Sequence, residues 1–386
     1  MHLLVILPRV PYPLEKGDKL RAYHQIRCLS ERHTITLVAL SDGKVHPQAE
    51  AHLQQYCREL YIVPLPVVLR LWNMLRAFLA GWPLQVGYFY SISAHRLIHR
   101  LADTGKYDRV YCQLLRTGLY AKDLSVKSVM DYQDTFSAGM RRRKEKAPWY
   151  FRPFFDFEYR RLRRFEEVSF NWFGGHTLIS EPDRELFPHT EKERIAIVGN
   201  GVEFGYFSPM DRPLQAEVLF TGNMGYPPNI DAAVFLAGEI MPLVREGIPD
   251  ARLVLAGASP HLRVRSLSGP LTRVTGWVDD MREWYAASSV FVAPMRMGTG
   301  LQNKLLEAMA MQLPCITTPL ANDALGAAPG IEILTGRDAK EIAEGIIRLL
   351  QDESLSASIG KGGNDFVRKH YNWEMATRKL ERLLQD

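Results

Sequence analysis

The sequence predicts an α/β protein with two domains, each built on a parallel sheet that is covered by helices. The chain has 386 residues, more than the roughly 100–200 residues usual for one domain. Apolar residues make up 46% and charged residues 24%, as in globular proteins. Short β-rich runs alternate with longer helical patterns from end to end, which is the order expected of doubly wound parallel sheets.

Six strands are predicted in each half of the chain. In the first half they lie at residues 2–7, 34–40, 60–63, 109–113, 127–131 and 175–179. In the second half they lie at 217–221, 252–256, 272–275, 290–293, 314–317 and 331–334. Two doubly wound sheets are therefore expected.

The turn-rich stretch 181–210 is expected to join the two domains. We predict a first domain at 1–200 and a second at 201–363. The last segment, 364–386, is helical by pattern, and we expect it to pack back on the first domain. Two domains imply a cleft between them.

Charge, cysteine usage and hydropathy exclude several classes of protein. The net charge of +5 is modest, so a global polyelectrolyte is not expected. Four cysteines lie far apart without Cys-x-x-Cys spacing; neither a zinc site nor a disulfide framework is expected, and a reducing cytoplasm fits best. The apolar N-terminus lacks a basic leader and is interrupted by Pro8, which predicts a buried strand and no signal peptide. No run approaches the ~18 apolar residues that a transmembrane helix needs.

One strand-to-helix loop in the second half predicts an anion site. A buried strand at 290–293 is followed by a loop with two glycines and by a predicted helix at 301–311. Parallel sheets bind ligands at this end of their strands. Because a helix N-terminus offers unpaired N–H groups, we expect those of Gly300, Leu301 and Gln302 to bind a diphosphate.

Three side chains of the same helix fit a nucleotide. Asn303, Lys304 and Glu307 share a face, since Glu307 lies three and four positions after the other two. Lys304 can neutralise phosphate charge, and Glu307 can accept hydrogen bonds from two ribose hydroxyls. The alternative is a surface Glu307 paired with Lys304 or Asn303. The apolar composition of the helix favours the ligand role, because an unpartnered carboxylate there is costly.

Short segments spread over nearly the whole chain carry a family resemblance. Leu-Glu-Ala-Met-Ala at 306–310, with the run after it, is similar to the donor-site signature of retaining GT-B glycosyltransferases of family 4, the glycosyl transferases group 1. Further matching segments lie at 179–181, 200–202, 220–224, 255–258, 276–281 and 313–318. Segments 8–21 and 300–304 most resemble sugar transferases of bacterial surface or exopolysaccharide clusters.

The resemblance implies a GT-B fold, with two Rossmann-like domains facing a cleft, and transfer of a hexose from a nucleoside-diphosphate sugar. In this family the leaving diphosphate helps to deprotonate the acceptor, so electrostatic positioning matters more than a protein nucleophile. No cofactor and no metal are expected. The backbone of Val278 is expected to hold the base. For the neighbouring Trp277, an apolar contact with the base and packing in the core are both open, and the core is favoured. The loop 8–21, with Gly17, is expected to close over phosphate or acceptor.

Two positions depart from the family pattern. Thr299 stands where members often carry a glutamate that contacts the transferred sugar, so a hydroxyl contact is expected. The first loop of domain two lacks the family's Arg and Lys pair and offers Asn223 instead. Arg296 and Lys304 are therefore the candidates for balancing the diphosphate charge, with a solvated loop residue as the alternative for Arg296.

Two aspartates follow a strand of domain one at the ligand end of the sheet. Asp131 and Asp134 can orient an acceptor hydroxyl, although a helix N-cap is the commoner use of such a residue. With Lys304 and Arg296 they complete the set of candidate catalytic residues.

Residues 141–164 hold ten Lys or Arg against three acids, interleaved with aromatic residues. Such a segment suits an anionic membrane surface, where a lipid-linked acceptor would be reached. The alternative is a solvated helix face with its aromatics in the core. Segment 69–79 is a second amphipathic candidate. Nucleic acid is not expected, because no nucleic-acid module accompanies the patch.

The sequence thus predicts a cytoplasmic enzyme of cell-surface polysaccharide synthesis, in peripheral contact with the membrane, that uses a glycan or lipid-linked acceptor. Two other functions are compatible with the same architecture. One is a nucleotide-sugar 2-epimerase, and the other is a nucleotide-sugar binding subunit without turnover.

Overall fold

The computed structural model describes residues 1–14, 16–210, 217–297 and 300–386. They form two compact units. The first comprises Met1–Gly199 together with Trp373–Asp386, and the second comprises Asn200–Asn372. Each unit contains one parallel sheet.

The sheet of the first unit has seven strands in the order β3-β2-β1-β4-β5-β6-β7, and every neighbouring pair is parallel. The strands are β1 (His2–Leu7), β2 (Thr34–Ser41), β3 (Glu59–Pro64), β4 (Arg109–Gln113), β5 (Ser128–Gln133), β6 (Gly175–Leu178) and β7 (Ala196–Ile197). The order reverses between β1 and β4, which is the switch point of a Rossmann-like sheet.

Helices cover both faces of this sheet. They are α1 (Gly17–Ser30), α2 (Ala49–Gln54), α3 (Val67–Ala80), α4 (Leu84–Tyr88), α5 (Ile92–Ala102), α6 (Gly118–Ala121), α7 (Phe136–Lys146), α8 (Arg152–Phe170) and α9 (Glu181–Glu185). Side chains of β1 alternate between the two cores: Leu4 and Ile6 belong to one buried cluster, and Leu3, Val5 and Leu7 belong to the other. This alternation follows from the two-residue period of a strand.

The second unit repeats the arrangement with six parallel strands in the order β10-β9-β8-β11-β12-β13. The strands are β8 (Glu217–Thr221), β9 (Arg252–Ala256), β10 (Thr272–Gly276), β11 (Val290–Ala293), β12 (Cys315–Thr317) and β13 (Leu334–Thr335). The helices are α10 (Pro227–Phe235), α11 (Met241–Gly247), α12 (Leu262–Arg265), α13 (Met281–Ala287), α14 (Asn303–Ala310), α15 (Pro319–Leu325), α16 (Ala339–Gln351) and α17 (Glu353–His370). The switch point lies between β8 and β11.

The last helix, α18 (Trp373–Gln385), belongs to the first unit. It packs against α1, and its Ala376, Leu380 and Leu384 lie in the core cluster of β1. The chain returns to this unit at Trp373 and not at the predicted 364, because α17 continues to His370 within the second unit.

The predicted fold class of two Rossmann-like parallel sheets is confirmed, and every predicted strand overlaps an observed one. The predictions missed β7, which has two residues inside the stretch assigned to the linker, and they placed the last strand too early. All four cysteines are buried and free. None of the described helices is both long and apolar enough to cross a membrane.

Candidate active site

Loops at the carboxyl ends of β8 and β11 frame the candidate site in the second unit. These two strands are neighbours at the switch point, where parallel sheets leave a crevice for ligands. The loop after β11 leads into α14, which carries Lys304 and Glu307. The site is therefore positioned by the topology of the sheet.

Two glycines let neighbouring loops approach closely at this edge. Gly222, after β8, and Gly257, after β9, both have positive φ angles, of 148° and 138°. A β-carbon on Gly257 would lie 1.9 Å from the carbonyl oxygen of Gly222. A β-carbon on Gly222 would lie 3.0 Å from Nζ of Lys304. Bare backbone is thus required beside the lysine, and these positions favour glycine.

Lys304 makes its hydrogen bond with a neutral partner. Its Nζ donates to Oδ1 of Asn229 at 2.6 Å and lies 4.5 Å from the centroid of the Phe220 ring. Burial lowers the pKa of Lys304 to about 7, although the charge of Glu307 opposes the shift. A phosphate at this position would restore the charged form of the lysine.

Glu307 is held by a chain of hydroxyl groups. The hydroxyl of Tyr285 donates to Oε2 of Glu307 at 2.9 Å and also lies 2.9 Å from Oγ1 of Thr221. Burial raises the pKa of Glu307 to about 7, while the bond from Tyr285 and the charge of Lys304 lower it. Glu307 is half-buried and so keeps acceptor capacity for a ligand. The surface pairing of Glu307 with Lys304 or Asn303 is not what the structure shows.

Helix α14 begins later than predicted. Its first residue is Asn303, with Gln302 as the N-cap residue in an extended conformation. Gly300 and Leu301 therefore precede the helix. The side-chain amide of Gln302 donates to the carbonyl oxygen of Gly300 at 2.9 Å. The side chain of Asn303 accepts a hydrogen bond from Asn200 at 2.9 Å. The first free helical N–H groups consequently belong to Asn303 and Lys304.

The other predicted donor-side residues are spread around the same edge. Asn223 forms a tight turn, in which its Oδ1 accepts from the backbone N–H of Gly225 at 2.9 Å. Val278 follows β10 and is half-buried. The assignment of Trp277 to the core is wrong, because this side chain is 64% exposed. Thr299 lies outside the described residues.

Arg296 is engaged by acidic residues of its own unit. Its guanidinium donates to both carboxylate oxygens of Asp231, at 3.0 and 3.1 Å, and lies 3.7 Å from Glu239. It also stacks 4.0 Å from the centroid of the Phe235 ring. Because this charge is already neutralised, Arg296 is a weaker candidate for the diphosphate than Lys304.

In the first unit, the expectation that Asp131 contacts an acceptor is wrong. The residue is fully buried. Its carboxylate accepts from Nε of Arg21 at 2.7 Å, from the hydroxyl of Tyr111 at 2.8 Å and from Oγ1 of Thr177 at 2.8 Å. A further bond comes from the backbone N–H of Gln133. These donors occupy the carboxylate completely, so Asp131 organises the core and cannot orient a substrate.

Asp134 remains accessible at the carboxyl end of β5. The preceding Gln133 has a φ of 63° at an irregular position of the β5–β6 pairing. Desolvation by the surrounding protein and the charge of Asp183 raise the pKa of Asp134 to about 7. A positive φ in a residue with a β-carbon is uncommon and is often found at functional sites. Gly17 is the exposed first residue of α1.

Tyr285 and Asn229 are the residues that sequence reasoning missed. Both bind the side chains that the motif identified, yet each comes from another helix, α13 or α10. Neither has a local signal in the sequence, because the contact depends on how the helices pack. In the described ranges no group of three His, Cys, Asp or Glu side chains comes close enough to hold a metal ion; metal-independent action stays a prediction.

The two Rossmann-like parallel sheets with their helices match the GT-B fold class. A family model described as Glycosyl transferases group 1 matches residues 215–352. The chain is 20% identical to an uncharacterized 44.6 kDa protein in the cps region of Klebsiella pneumoniae, over 96% of both chains. It is 29% identical to a GDP-mannose-dependent mannosyltransferase of Corynebacterium glutamicum that acts on monoacylated phosphatidylinositol monomannoside, over 38% of this chain and 42% of that one.

Among solved structures, HepE from Anabaena in complex with UDP superposes with a TM-score of 0.70 over 100% of both chains, at 13% identity. This likeness shows the fold. The family model, the relatives and the fold together support a GT-B glycosyltransferase related to those of surface polysaccharide synthesis. The residues that the family model covers include Lys304 and Glu307.

Proposed function

We propose that this protein transfers a hexose, with retention of configuration, from a nucleoside-diphosphate sugar to a glycan or lipid-linked acceptor. The observation that carries this proposal is the arrangement of Lys304 and Glu307. Each is bound to a neutral side chain, and the two stand one turn apart on a helix that begins at the switch point. Lys304 fits the diphosphate, and Glu307 fits the ribose hydroxyls.

The proposed chemistry needs no protein nucleophile and no metal ion. Charge develops on the leaving diphosphate, and a cation within a partly desolvated site stabilises it far more than a cation in water would. The N–H groups at the start of α14 add the positive end of the helix dipole. Asp134 is the candidate for orienting the acceptor hydroxyl.

A thermal-shift screen against UDP-, GDP- and ADP-sugars tests donor binding first. One donor should raise the melting temperature of wild type but not that of Glu307→Ala. Incubation of that donor with lipid-linked acceptors should then release nucleoside diphosphate, and NMR of the product should show the anomeric configuration of the donor. Isomerised donor without acceptor would indicate a 2-epimerase instead. Binding without turnover with any acceptor would indicate a binding subunit.

We further propose that the first unit docks on an anionic membrane through α3 and the start of α8. Helix α3 buries only Asn73 and Ala77. Its apolar side chains face solvent, with exposed fractions of 49–80%, at Val67, Val68, Leu71, Trp72, Leu75, Phe78 and Leu79. An exposed apolar face of this size on one helix is typical of an interaction surface.

The aromatic side chains before and within α8 extend this surface. Trp149, Tyr150, Phe151 and Phe154 are all more than half exposed. The ring of Phe157, in the same helix, lies 5.4 Å from that of Phe78 in a tilted arrangement, so the two helices are in contact there. The alternative that these aromatics lie in the core is therefore wrong for the four residues at 149–154.

Arg161 joins the two helices. Its guanidinium lies 4.0 Å from the ring of Phe157 and 5.1 Å from that of Phe78, and it donates to the last carbonyl groups of α3. Arg76, Arg163 and Arg164 are exposed nearby in the sequence. Basic residues beside apolar and aromatic ones favour anionic lipids.

Vesicle co-sedimentation tests the docking. Wild type should bind vesicles that contain anionic lipid and should bind neutral vesicles less, with a loss of binding at high salt. Val68→Asp with Leu71→Asp should abolish binding. The matched control is Leu262→Asp, because Leu262 is 76% exposed but lies in the second unit. Equal binding by wild type and the double variant would refute the proposal.

A further inference from the structure

Arg116 lies at the carboxyl edge of the first sheet, in the single turn Leu115–Thr117 that follows β4. It is thus beside the switch point between β1 and β4. Its guanidinium carbon lies over two aromatic rings, 5.0 Å from the centroid of Phe89 and 5.2 Å from that of Phe136. Both are cation–π contacts, which hold a guanidinium near the ring faces.

The hydrogen-bond partner of Arg116 is neutral. Both Nε and Nη2 donate to the same Oε1 of Gln85, at 3.3 Å. In the part of the chain that the structure describes, no carboxylate forms an ion pair with this arginine. An arginine has five N–H donors, so this contact leaves most of its capacity unused.

The surrounding charges do not compensate Arg116. Burial first, and then the positive charges of Arg9 and Arg143, lower the pKa of Arg116 to about 10, against the opposing effect of Asp18 and Asp42. Both acids are closer to another cation, since Arg9 lies 2.6 Å from Asp18 and 3.9 Å from Asp42. Arg116 is nevertheless protonated at neutral pH. A buried positive charge without an ion-pair partner is costly.

We infer that Arg116 binds a phosphate or diphosphate group of the acceptor, an inference that rests on the proposed function. The planar guanidinium pairs with phosphate oxygens through two parallel hydrogen bonds. Among the residues that the structure describes, only Nε and Nη2 have a hydrogen-bond partner, the single oxygen of Gln85, so other N–H groups can bind phosphate. Arg116 is a specificity residue in this account, because it selects an anionic acceptor without taking part in the transfer.

The position of Arg116 relative to α3 favours one source of the phosphate. Gln85 and Phe89 follow α3 directly in the chain, and α4, which holds Gln85, packs on α3. Gly87 of α4 is so close to α3 that a β-carbon on it would lie 2.3 Å from that of Ala77. The proposed membrane-docking helix and the residues that contact Arg116 are therefore parts of one packed segment, which favours a lipid-linked phosphate.

Calorimetric titration of the full chain with geranyl phosphate tests this inference, with geraniol and inorganic phosphate as comparison probes. We expect geranyl phosphate to bind and geraniol not to bind. Tighter binding of geranyl phosphate than of inorganic phosphate indicates a lipid-linked source, and equal binding indicates a free phosphate at the same pocket. Absence of geranyl phosphate binding, or equal binding of geraniol, overturns the inference.

Two variants of different design locate the binding. Arg116→Gln should weaken geranyl phosphate about tenfold to a hundredfold, the range for losing charge-assisted hydrogen bonds. Gln85→Glu keeps the arginine but gives it a carboxylate partner, and it should weaken the ligand similarly. Arg348→Gln is the control, since it removes an exposed cation of the second unit and should leave this affinity unchanged.

Wild-type affinity in a folded Arg116→Gln or Gln85→Glu variant refutes the role of Arg116, and thermal unfolding of each variant reports whether it is folded. The titration needs no turnover. If no donor supports transfer, the transferase proposal fails, but the measured affinity of Arg116 for geranyl phosphate is unchanged. The two failures can therefore be told apart.

Discussion

The carboxylate–cation pairs of the two units differ in how their charges are satisfied. In the first unit, Asp131 and Arg21 are fully buried and bind each other at 2.7 Å. In the second, Lys304 donates to Asn229 and Glu307 accepts from Tyr285, so each charge has a neutral partner. The two sheets share one topology, and both pairs lie near the carboxyl ends of their strands.

This difference separates a structural pair from a binding site. A buried pair that is mutually saturated fixes geometry and leaves no capacity for a ligand. Charges held by neutral partners keep that capacity, at the cost of desolvation, and the pKa values of Lys304 and Glu307 both move to about 7 as a result. The second unit thus gives up some folding stability at the site where its charged groups stay available to a ligand.

The largest expected effect is on the stability of the first unit. Asp131→Ala leaves Arg21 buried without its carboxylate and should lower the free energy of unfolding by about 3–5 kcal/mol. Denaturant unfolding measures this loss. Asp123→Ala is the matched control, because this aspartate is exposed on the same unit, and it should change stability little. A loss below about 1 kcal/mol in Asp131→Ala would mean that the pair is not structural.

Glu307→Gln should stabilise the protein, unlike Asp131→Ala, and the gain in stability should depend on pH. The folded pKa of Glu307 is raised from 4.5 to about 7, so the folded state binds more protons in this window and wild type loses stability as pH rises through it. The neutral amide avoids this loss. The variant should match wild type near pH 4 and exceed it by up to about 3 kcal/mol at pH 8. A difference that does not change with pH contradicts the raised pKa.

Lys304→Ala should weaken nucleoside diphosphate binding about tenfold to a hundredfold, because it removes a charge-assisted hydrogen bond of roughly 1.5–3 kcal/mol. Calorimetry measures the dissociation constant. Arg296→Ala is the control, since Arg296 is already paired with Asp231, and it should change this constant less than threefold, or below roughly 0.7 kcal/mol. Equal losses of affinity in both variants would indicate that Lys304 and Arg296 both contact the diphosphate.

Tyr285→Phe should have the smallest effect. It removes the hydroxyl that donates to Glu307 and should weaken donor binding by about 1 kcal/mol, roughly fivefold. Because that bond lowers the pKa of Glu307, its loss should move the acid limb of the binding profile to higher pH. A pH profile identical to that of wild type would show that Tyr285 does not tune the carboxylate.

Sequence reasoning found Lys304 and Glu307 because a local pattern, a glycine loop followed by a helix, carries them. It failed for Asp131, since the pairing with Arg21 joins residues far apart in the chain. It also overlooked Arg116, whose aromatic neighbours come from α7 and from the segment after α4. Strands are set by local runs of apolar residues and were predicted well, whereas the two-residue β7 has too short a pattern.

The proposed function depends most on Glu307, which we propose binds the ribose hydroxyls of the donor. The most direct test titrates wild type and Glu307→Ala with the preferred nucleoside diphosphate and with its 2′,3′-dideoxy analogue. We expect the substitution to weaken binding of the first ligand about tenfold or more but to have almost no further effect on the second, because the two changes remove one interaction. Equal losses for both ligands would contradict the claim.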